Sequence, residues 1–374
     1  MGAEARIHSA EDARRLARRR LPWMVFDYID GAAGLETGVA QNRAALDAMR
    51  LRTRVLVDVS RRDLTKGVFG KTAKAPFGIA PMGLCNLAWP GADLMLAKLA
   101  ARENVPLGVS TMSSTSLERI QEVAEGNAWF QLYLSGDGSG ADRLMDRAKA
   151  ADYDVLILTV DVPEVGRRPR ELRHGFKMPF KIGPRQFLDF ALHPEWSLST
   201  LRAGKPEFEN FREPGFAFDR TETRARFDWS DLTRIRDRWP GKLVLKGVLD
   251  AEDVLSAQAA GVDAVQVSSH GGRQLDSGAL PVHALAAIRA VVGDGFPVFY
   301  DSGVRSGDDV VKLGAQGADF VFLGRPFLFA MAAAGAEGLD ALWEALVAET
   351  SITLAQIGNP VFADLRAANP ILPA

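Results

Sequence analysis

Short apolar runs punctuate this chain, and between them lie longer stretches with an apolar residue every three or four positions. Eight runs read as strands: Phe77–Ala80, Pro106–Ser110, Trp129–Leu134, Val155–Val160, Leu243–Lys246, Ala264–Ser268, Val298–Asp301 and Phe320–Gly324. None alternates strictly between apolar and polar residues, the pattern expected of strands covered on both faces. Most are separated by amphipathic segments at 92–103, 115–124, 140–150, 251–260, 281–291 and 306–314, with the period of helices that pack on one side. Such alternation predicts a parallel α/β fold. Eight units predict closure into a (β/α)8 TIM barrel, a single domain over 1–374. The alternative is a doubly wound sheet with an appended domain. It should bring a Gly-x-Gly-x-x-Gly turn after the first strand, and none follows.

Two segments depart from a bare barrel. Residues 1–70 carry helical patterns at 10–20, 22–31 and 36–48 and predict a helical cap on one end. The connection 162–242 is too long for an ordinary βα link. It is rich in aromatics: Phe176, Phe180, Phe187, Phe190, Trp196, Phe208, Phe211, Phe216 and Phe218. It reads as a lid over the active site; the plainer reading is that its aromatics simply pack against the barrel wall. A second reading lays the stretch from Phe187 to Leu201 on a membrane or partner surface.

Composition narrows the function classes. A chain of 374 residues that is 47% hydrophobic can bury a large core. The net charge of −2 argues against a global attraction to nucleic acid or acidic membranes. One cysteine, Cys85, excludes an intrachain disulfide and points to a cytoplasmic setting; it reads as buried filler. No secretory pattern follows the basic run Arg14–Arg20, and no stretch approaches the roughly 20 apolar residues that span a bilayer.

Polar residues gather where the strands end, which in such barrels is where active sites form. After the sixth strand, the run from Ser268 to Asp276 places His270 three residues from Arg273, among glycines. An arginine can hold a carboxylate while an imidazole takes a proton from the neighbouring carbon. A solvated turn is the plainer reading. Asp161, at the end of the fourth strand, would orient that imidazole. After the last two strands, Ser302 and Gly303 offer backbone amides and Arg305 and Arg325 offer charge, a cradle for a phosphate. Lys246 ends an otherwise apolar strand; such a cation is costly unless paired, with Asp301 or Asp161, or used chemically. No metal is expected.

Taken together, these residues resemble the FMN-dependent L-2-hydroxy acid oxidising family. Its members include glycolate oxidase, L-lactate dehydrogenase, flavocytochrome b2 and (S)-mandelate dehydrogenase. The resemblance runs from Leu21-Pro22 to about Gly358 through Ala80-Pro81-Met82-Gly83-Leu84, Trp129-Phe130-Gln131-Leu132-Tyr133, Leu158-Thr159-Val160-Asp161, Gly166-Arg167-Arg168, Leu245-Lys246-Gly247, His270-Gly271-Gly272-Arg273-Gln274-Leu275-Asp276, Asp301-Ser302-Gly303-Val304-Arg305 and Leu323-Gly324-Arg325. The stretch from Leu192 to Leu198 looks most like the membrane-associated mandelate and lactate dehydrogenases. The resemblance implies FMN as cofactor and a small 2-hydroxy acid as substrate. The electron acceptor would be a quinone, oxygen or a carrier protein. It also implies a homotetramer and peripheral contact with the inner face of the cell membrane.

Residue by residue, it implies His270 as base and Asp161 as its partner. Arg168 and Arg273 would clamp the substrate carboxylate, with Tyr28 and Tyr133 bonding carboxylate and hydroxyl. Lys246 would stabilise negative charge on reduced flavin. Pro81, Met82, Gly83, Ser110, Gln131, Thr159 and Ser268 would hold the ring and ribityl, and Asp301 the ribityl hydroxyls. Ser302, Gly303, Arg305, Gly324 and Arg325 would hold the phosphate. Two departures stand out. Ser269 replaces the family's usual asparagine, which could loosen the His270 loop. Gly83 replaces the alanine typical of the oxidases, which tilts the expectation towards a dehydrogenase. An oxygen-using oxidase or monooxygenase is the alternative. Two further rivals are another FMN barrel acting on a phosphorylated substrate and a flavin-binding protein that has lost catalysis.

Overall fold

The computed structural model describes residues 2, 4–176, 182–212 and 224–372. Its centre is a closed barrel of eight parallel strands: β1 (Phe77–Met82), β2 (Leu107–Ser110), β3 (Ala128–Leu132), β4 (Val155–Thr159), β5 (Lys242–Val248), β6 (Ala264–Val267), β7 (Val298–Asp301) and β8 (Phe320–Leu323). Each pairs with its sequence neighbour, and β8 closes on β1. All eight expected strands are present, with no end displaced by more than two residues. β2, β3, β4, β6, β7 and β8 are buried at every position. Their β-branched and aromatic residues suit a sheet covered on both sides.

Helices surround the barrel. α1 (Ala10–Arg20), α2 (Trp23–Asp30) and α3 (Thr37–Ala48) precede it. The later ones are α4 (Ala92–Glu103), α5 (Leu117–Val123), α6 (Ser139–Ala150), α7 (Pro169–His174), α8 (Pro184–Leu192), α9 (Pro194–Ala203), α10 (Trp229–Arg238), α11 (Ala251–Ala259), α12 (Pro281–Val292), α13 (Gly307–Gln316) and α14 (Arg325–Gln356). Side-chain caps fix several starts: Ser116, Asp250 and Ser306 accept amide hydrogen bonds from Arg119, Glu252 and Asp309.

The N-terminal segment does two jobs at opposite ends. A hairpin absent from the sequence reading, Lys66–Val68 with Lys71–Ala73, presents Phe69. That ring packs against Trp129 and Phe299 at centroid distances of 5.4 and 5.5 Å, at the strand starts. Helices α2 and α3 reach the other end. There Asn42 donates to the Ser302 carbonyl, and Arg43 donates to Gly303 O and ion-pairs with Asp309. α1 packs along α14, a 32-residue span broken by a kink at Ala334 and Gly335, which the sequence reading did not single out.

The long connection is not one loop; it carries α7, α8, α9 and α10. Trp196 is buried, and Phe176, Phe190, Phe208 and Phe211 pack against the core. Wall packing therefore holds for these five. Phe187 is the exception, 68% exposed. Phe180, Phe216 and Phe218 lie outside the described residues.

Candidate active site

Barrel register decides which side chains meet at the rim. Ser110 of β2 pairs with Gln131 of β3, and Thr159 of β4 with Lys246 of β5. The register slips between Lys246 and Val248, a bulge of the sort that re-aims a side chain beside a site. At the slip Gly247 has φ +103°, and a Cβ there would lie 2.5 Å from Asp161 Cγ. Glycine is needed both for the conformation and for the space Asp161 occupies.

One cavity of about 540 Å³ opens at this rim, within the usual range for cofactor and ligand sites. It is lined by every residue expected in the site except Asp161 and Ser268. Those two stand just behind the wall. His270, at φ 56°, turns its ring inward. Its Nδ1 is 2.9 Å from Asp161 Oδ1, and its Nε2 is 3.4 Å from the Tyr133 hydroxyl. Burial opposes the charge on Asp161, but the neighbouring His270, with Lys246 beyond it, outweighs burial and holds the carboxyl below its ordinary range. The carboxylate is thus available to fix the imidazole.

The two clamp arginines face the same space. Arg273 Nη1 donates to the carbonyls of Tyr28 and Gly31 at 2.6 and 2.9 Å, and its guanidinium lies over the Tyr28 ring. Its Nη2 pairs with Glu171 at 2.7 Å. Arg168 donates to Arg273 O and Gln274 Oε1 and sits 3.5 Å from the same Glu171 oxygen. Burial and then the like charge of Arg273 push Arg168 below its ordinary value. Tyr28 stacks on Phe176 and donates to Gly83 O at 3.3 Å, so its hydroxyl must turn to reach a ligand.

Lys246 is buried and paired. Its Nζ lies 2.8 Å from Ser268 Oγ and 3.2 Å from Asp301 Oδ2. Asp301 also accepts from Gln266, Ser268 and Ser302. Of the two partners weighed for Lys246, Asp301 is the one in contact. Cys85 is buried with its thiol pushed up by burial, as filler should be.

Sequence reasoning missed Glu171, Arg224, Met112 and Val165; Phe176 and Phe208, named with the long connection, complete an apolar wall with the last two. Glu171 carried a weak signal, three residues after Arg168 on one helical face. Arg224, whose guanidinium lies 5.6 Å from the Tyr133 ring, carried none.

The cavity fits a flat, phosphorylated, polar-edged cofactor. Gln131 Nε2 and Thr159 Oγ1, both on lining residues, are buried without a hydrogen-bond partner among the described residues, a costly state that a ligand would relieve. Arg305 and Arg325 form no ion pair among the described residues. Burial lowers them to about 10 and about 9; Arg325 donates to the carbonyls of Ile29, Gly271 and Gly31 and Arg305 to that of Val304, which leaves their charge uncompensated. Both retain some accessible surface on the cavity side. Gly324 and Arg325 open α14 beside the cavity, and the start of a helix favours an anion.

A barrel with such a rim defines an enzyme built around a phosphorylated cofactor. The chain belongs to the FMN-dependent dehydrogenase family, whose model matches residues 17–370; it is an oxidoreductase with FMN as cofactor. It is 41% identical over 361 residues to (S)-mandelate dehydrogenase of Pseudomonas putida, covering 95% of this chain and 91% of that one. To L-lactate dehydrogenase of Bartonella tribocorum it is 37% identical, covering 94% of each. Among solved structures, the monotopic membrane protein (S)-mandelate dehydrogenase superposes with a TM-score of 0.94 at 39% identity, over 98% of this chain and 100% of the other. A mandelate oxidase superposes at 0.82 with 34% identity, over 96% and 98%.

Proposed function

We propose that this chain oxidises an L-2-hydroxy acid to the 2-keto acid and passes the electrons to a quinone-like acceptor. The substrate side chain is aromatic or similarly apolar, as in mandelate, with lactate a smaller alternative. The observation that carries the reading is the convergence of the His270–Asp161 pair and the Arg168–Arg273 pair on one cavity. Arg168 and Arg273 hold the carboxylate, and Tyr133 meets the hydroxyl. His270 Nε2 takes the hydroxyl proton, while Asp161 keeps Nδ1 protonated and steadies the charge that forms. Met112, Val165, Phe176 and Phe208 give the substituent an apolar wall. When bound, FMN supplies the two-electron acceptor, held by Gln131 and Thr159 at its polar edge and by Arg305, Arg325 and Gly303 at its phosphate. Lys246 stabilises the negative charge that builds up on reduction. Gly83 leaves the neighbouring strand end uncrowded; an alanine Cβ would come within 3.0 Å of Met112 Cβ.

Anaerobic mixing with L-mandelate and L-lactate tests the reading. The flavin absorbance should bleach, faster with mandelate, and reappear on adding a quinone. A broad panel of 2-hydroxy acids that leaves the flavin oxidised would refute it.

The phosphate assignment has its own test. Charge-assisted hydrogen bonds carry about 1.5–3 kcal/mol, so Arg305→Met should weaken FMN binding by roughly 10- to 100-fold. The apoprotein should melt no lower than the parent. The fold depresses the pKa of Arg305, so its charge opposes folding at neutral pH, and that cost begins to ease only as pH rises through about 10. FMN titration followed by fluorescence, with thermal melts of the apoproteins, reads both.

The connection 162–242 is proposed as the lid, since Phe176, Phe208 and Arg224 from it line the cavity. Its helices α8 and α9 turn Phe187, Leu188, Leu192, Leu198 and Leu201 outward, each more than half exposed. Among the described residues no helix is long and apolar enough to cross a membrane. These side chains suit an interfacial seat at the inner face of the cell membrane. Replacing Phe187, Leu192 and Leu201 with serine should move the protein from sedimented vesicles to the supernatant and leave flavin reduction intact.

A further inference from the structure

We propose that Ser302 is a positioning residue, one whose side chain holds the His270 loop in its working conformation. The proposal rests on the reading of His270 as the base. Ser302 has φ 103°, a region in which glycine is the residue of least strain. A serine held there needs a reason, and its hydroxyl supplies one. Buried at 7% exposure, its Oγ accepts from the amides of Ser269 and Gly271, each at 3.1 Å. It donates to Asp301 Oδ1 at 2.9 Å.

Those two amides flank His270. The His270 amide itself donates to Ser268 Oγ at 2.9 Å, and Ser268 donates to the same Asp301 oxygen at 2.7 Å. Three successive amides therefore end on two hydroxyls, and both hydroxyls hang from one carboxylate. Lys246 and Gln266 complete the set on the second Asp301 oxygen. The carboxylate accepts three hydrogen bonds and one ion pair from within the protein. The grip matters because His270 sits at φ 56°, left-handed, between two residues that could relax. It also answers the Ser269 question. The loop lacks the family's asparagine at 269 and is tied down from β7 instead. The Ser302 backbone is fixed separately, by Asn42 Nδ2 on its carbonyl at 3.1 Å, so removing the hydroxyl need not disturb the phosphate loop.

The test is a double-mutant cycle with FMN bound. Ser302→Gly keeps the backbone conformation and deletes the hydroxyl; Ser302→Ala deletes it in an L-residue. In the parent background each should slow substrate reduction of the flavin by about 10- to 100-fold, the order expected when a reacting group shifts by about 1 Å. In a His270→Gln background the same changes should cost less than about 3-fold, because the group they position is gone. Amide hydrogen exchange over 268–273 should quicken by roughly 5- to 10-fold, the loss of about one hydrogen bond. Equal slowing in both backgrounds, unchanged reduction in the parent, unchanged exchange, or loss of FMN from both serine variants would each overturn the proposal. Failure of the base assignment looks different: His270→Gln alone would then leave reduction undiminished.

Discussion

His270→Gln is expected to yield a folded, yellow protein in which substrate reduces the flavin roughly 10²- to 10⁴-fold more slowly, the range that acid–base catalysis supplies. Glutamine can still reach towards Tyr133 and Asp161, so the cavity and its cofactor should survive. What it cannot do is accept the hydroxyl proton. Stopped-flow reduction under anaerobic conditions measures the loss, and the visible spectrum checks cofactor content. Asp161 should not set the acid limit of the parent enzyme. The fold depresses its carboxyl below the ordinary 3.8, so Asp161 is ionised above that value and its charge is lost only as pH falls through the lower, folded one. A step in reduction rate well above pH 4 that vanished in Asp161→Asn would contradict this.

Arg273→Met is expected to lower kcat/KM by about 10²- to 10³-fold, equivalent to ~3–4 kcal/mol, as when one partner of a buried, hydrogen-bonded charge pair is cut away. The arginine is placed before any substrate arrives, anchored by the carbonyls of Tyr28 and Gly31 and by Glu171. It therefore meets a carboxylate without reorganising. Glu171 shares one oxygen between both arginines and relieves their mutual repulsion. Lysine at 273 should recover little, because a point charge cannot replace the planar fork that bridges two carbonyls and a carboxylate. The methyl ester of the same hydroxy acid is the internal control: it lacks the charge, so it should lose far less between parent and variant. Equal losses for acid and ester would place Arg273 outside the carboxylate clamp.

Much of this arrangement was legible in the residues. Strands such as Val155-Leu156-Ile157-Leu158-Thr159 announce themselves because a strand covered on both faces must be apolar throughout, and a polar residue at its end marks the rim. Cys85 as filler followed from the lack of any base beside it in the sequence, and a paired or chemical role for Lys246 from the cost of burying charge. The hairpin around Phe69 was not legible, since three-residue strands carry too little pattern. Arg224 was not either: nothing local relates it to Tyr133, which lies far along the chain. Ser302 was read as a backbone contributor to a phosphate cradle, because a strand-end Ser-Gly pair gives no sign of where a hydroxyl points.

The sequence by itself determined the barrel, the order of its strands and the residue types delivered to each strand end, because the burial periodicity of a strand or helix is a local property of the chain. Only the tertiary structure decided which of those residues touch. That Asp161 fits beside Gly247, that Glu171 bridges two arginines and that Asp301 ties three amides to one carboxylate all depend on register and closure. Those are set by packing between segments that lie well apart along the chain.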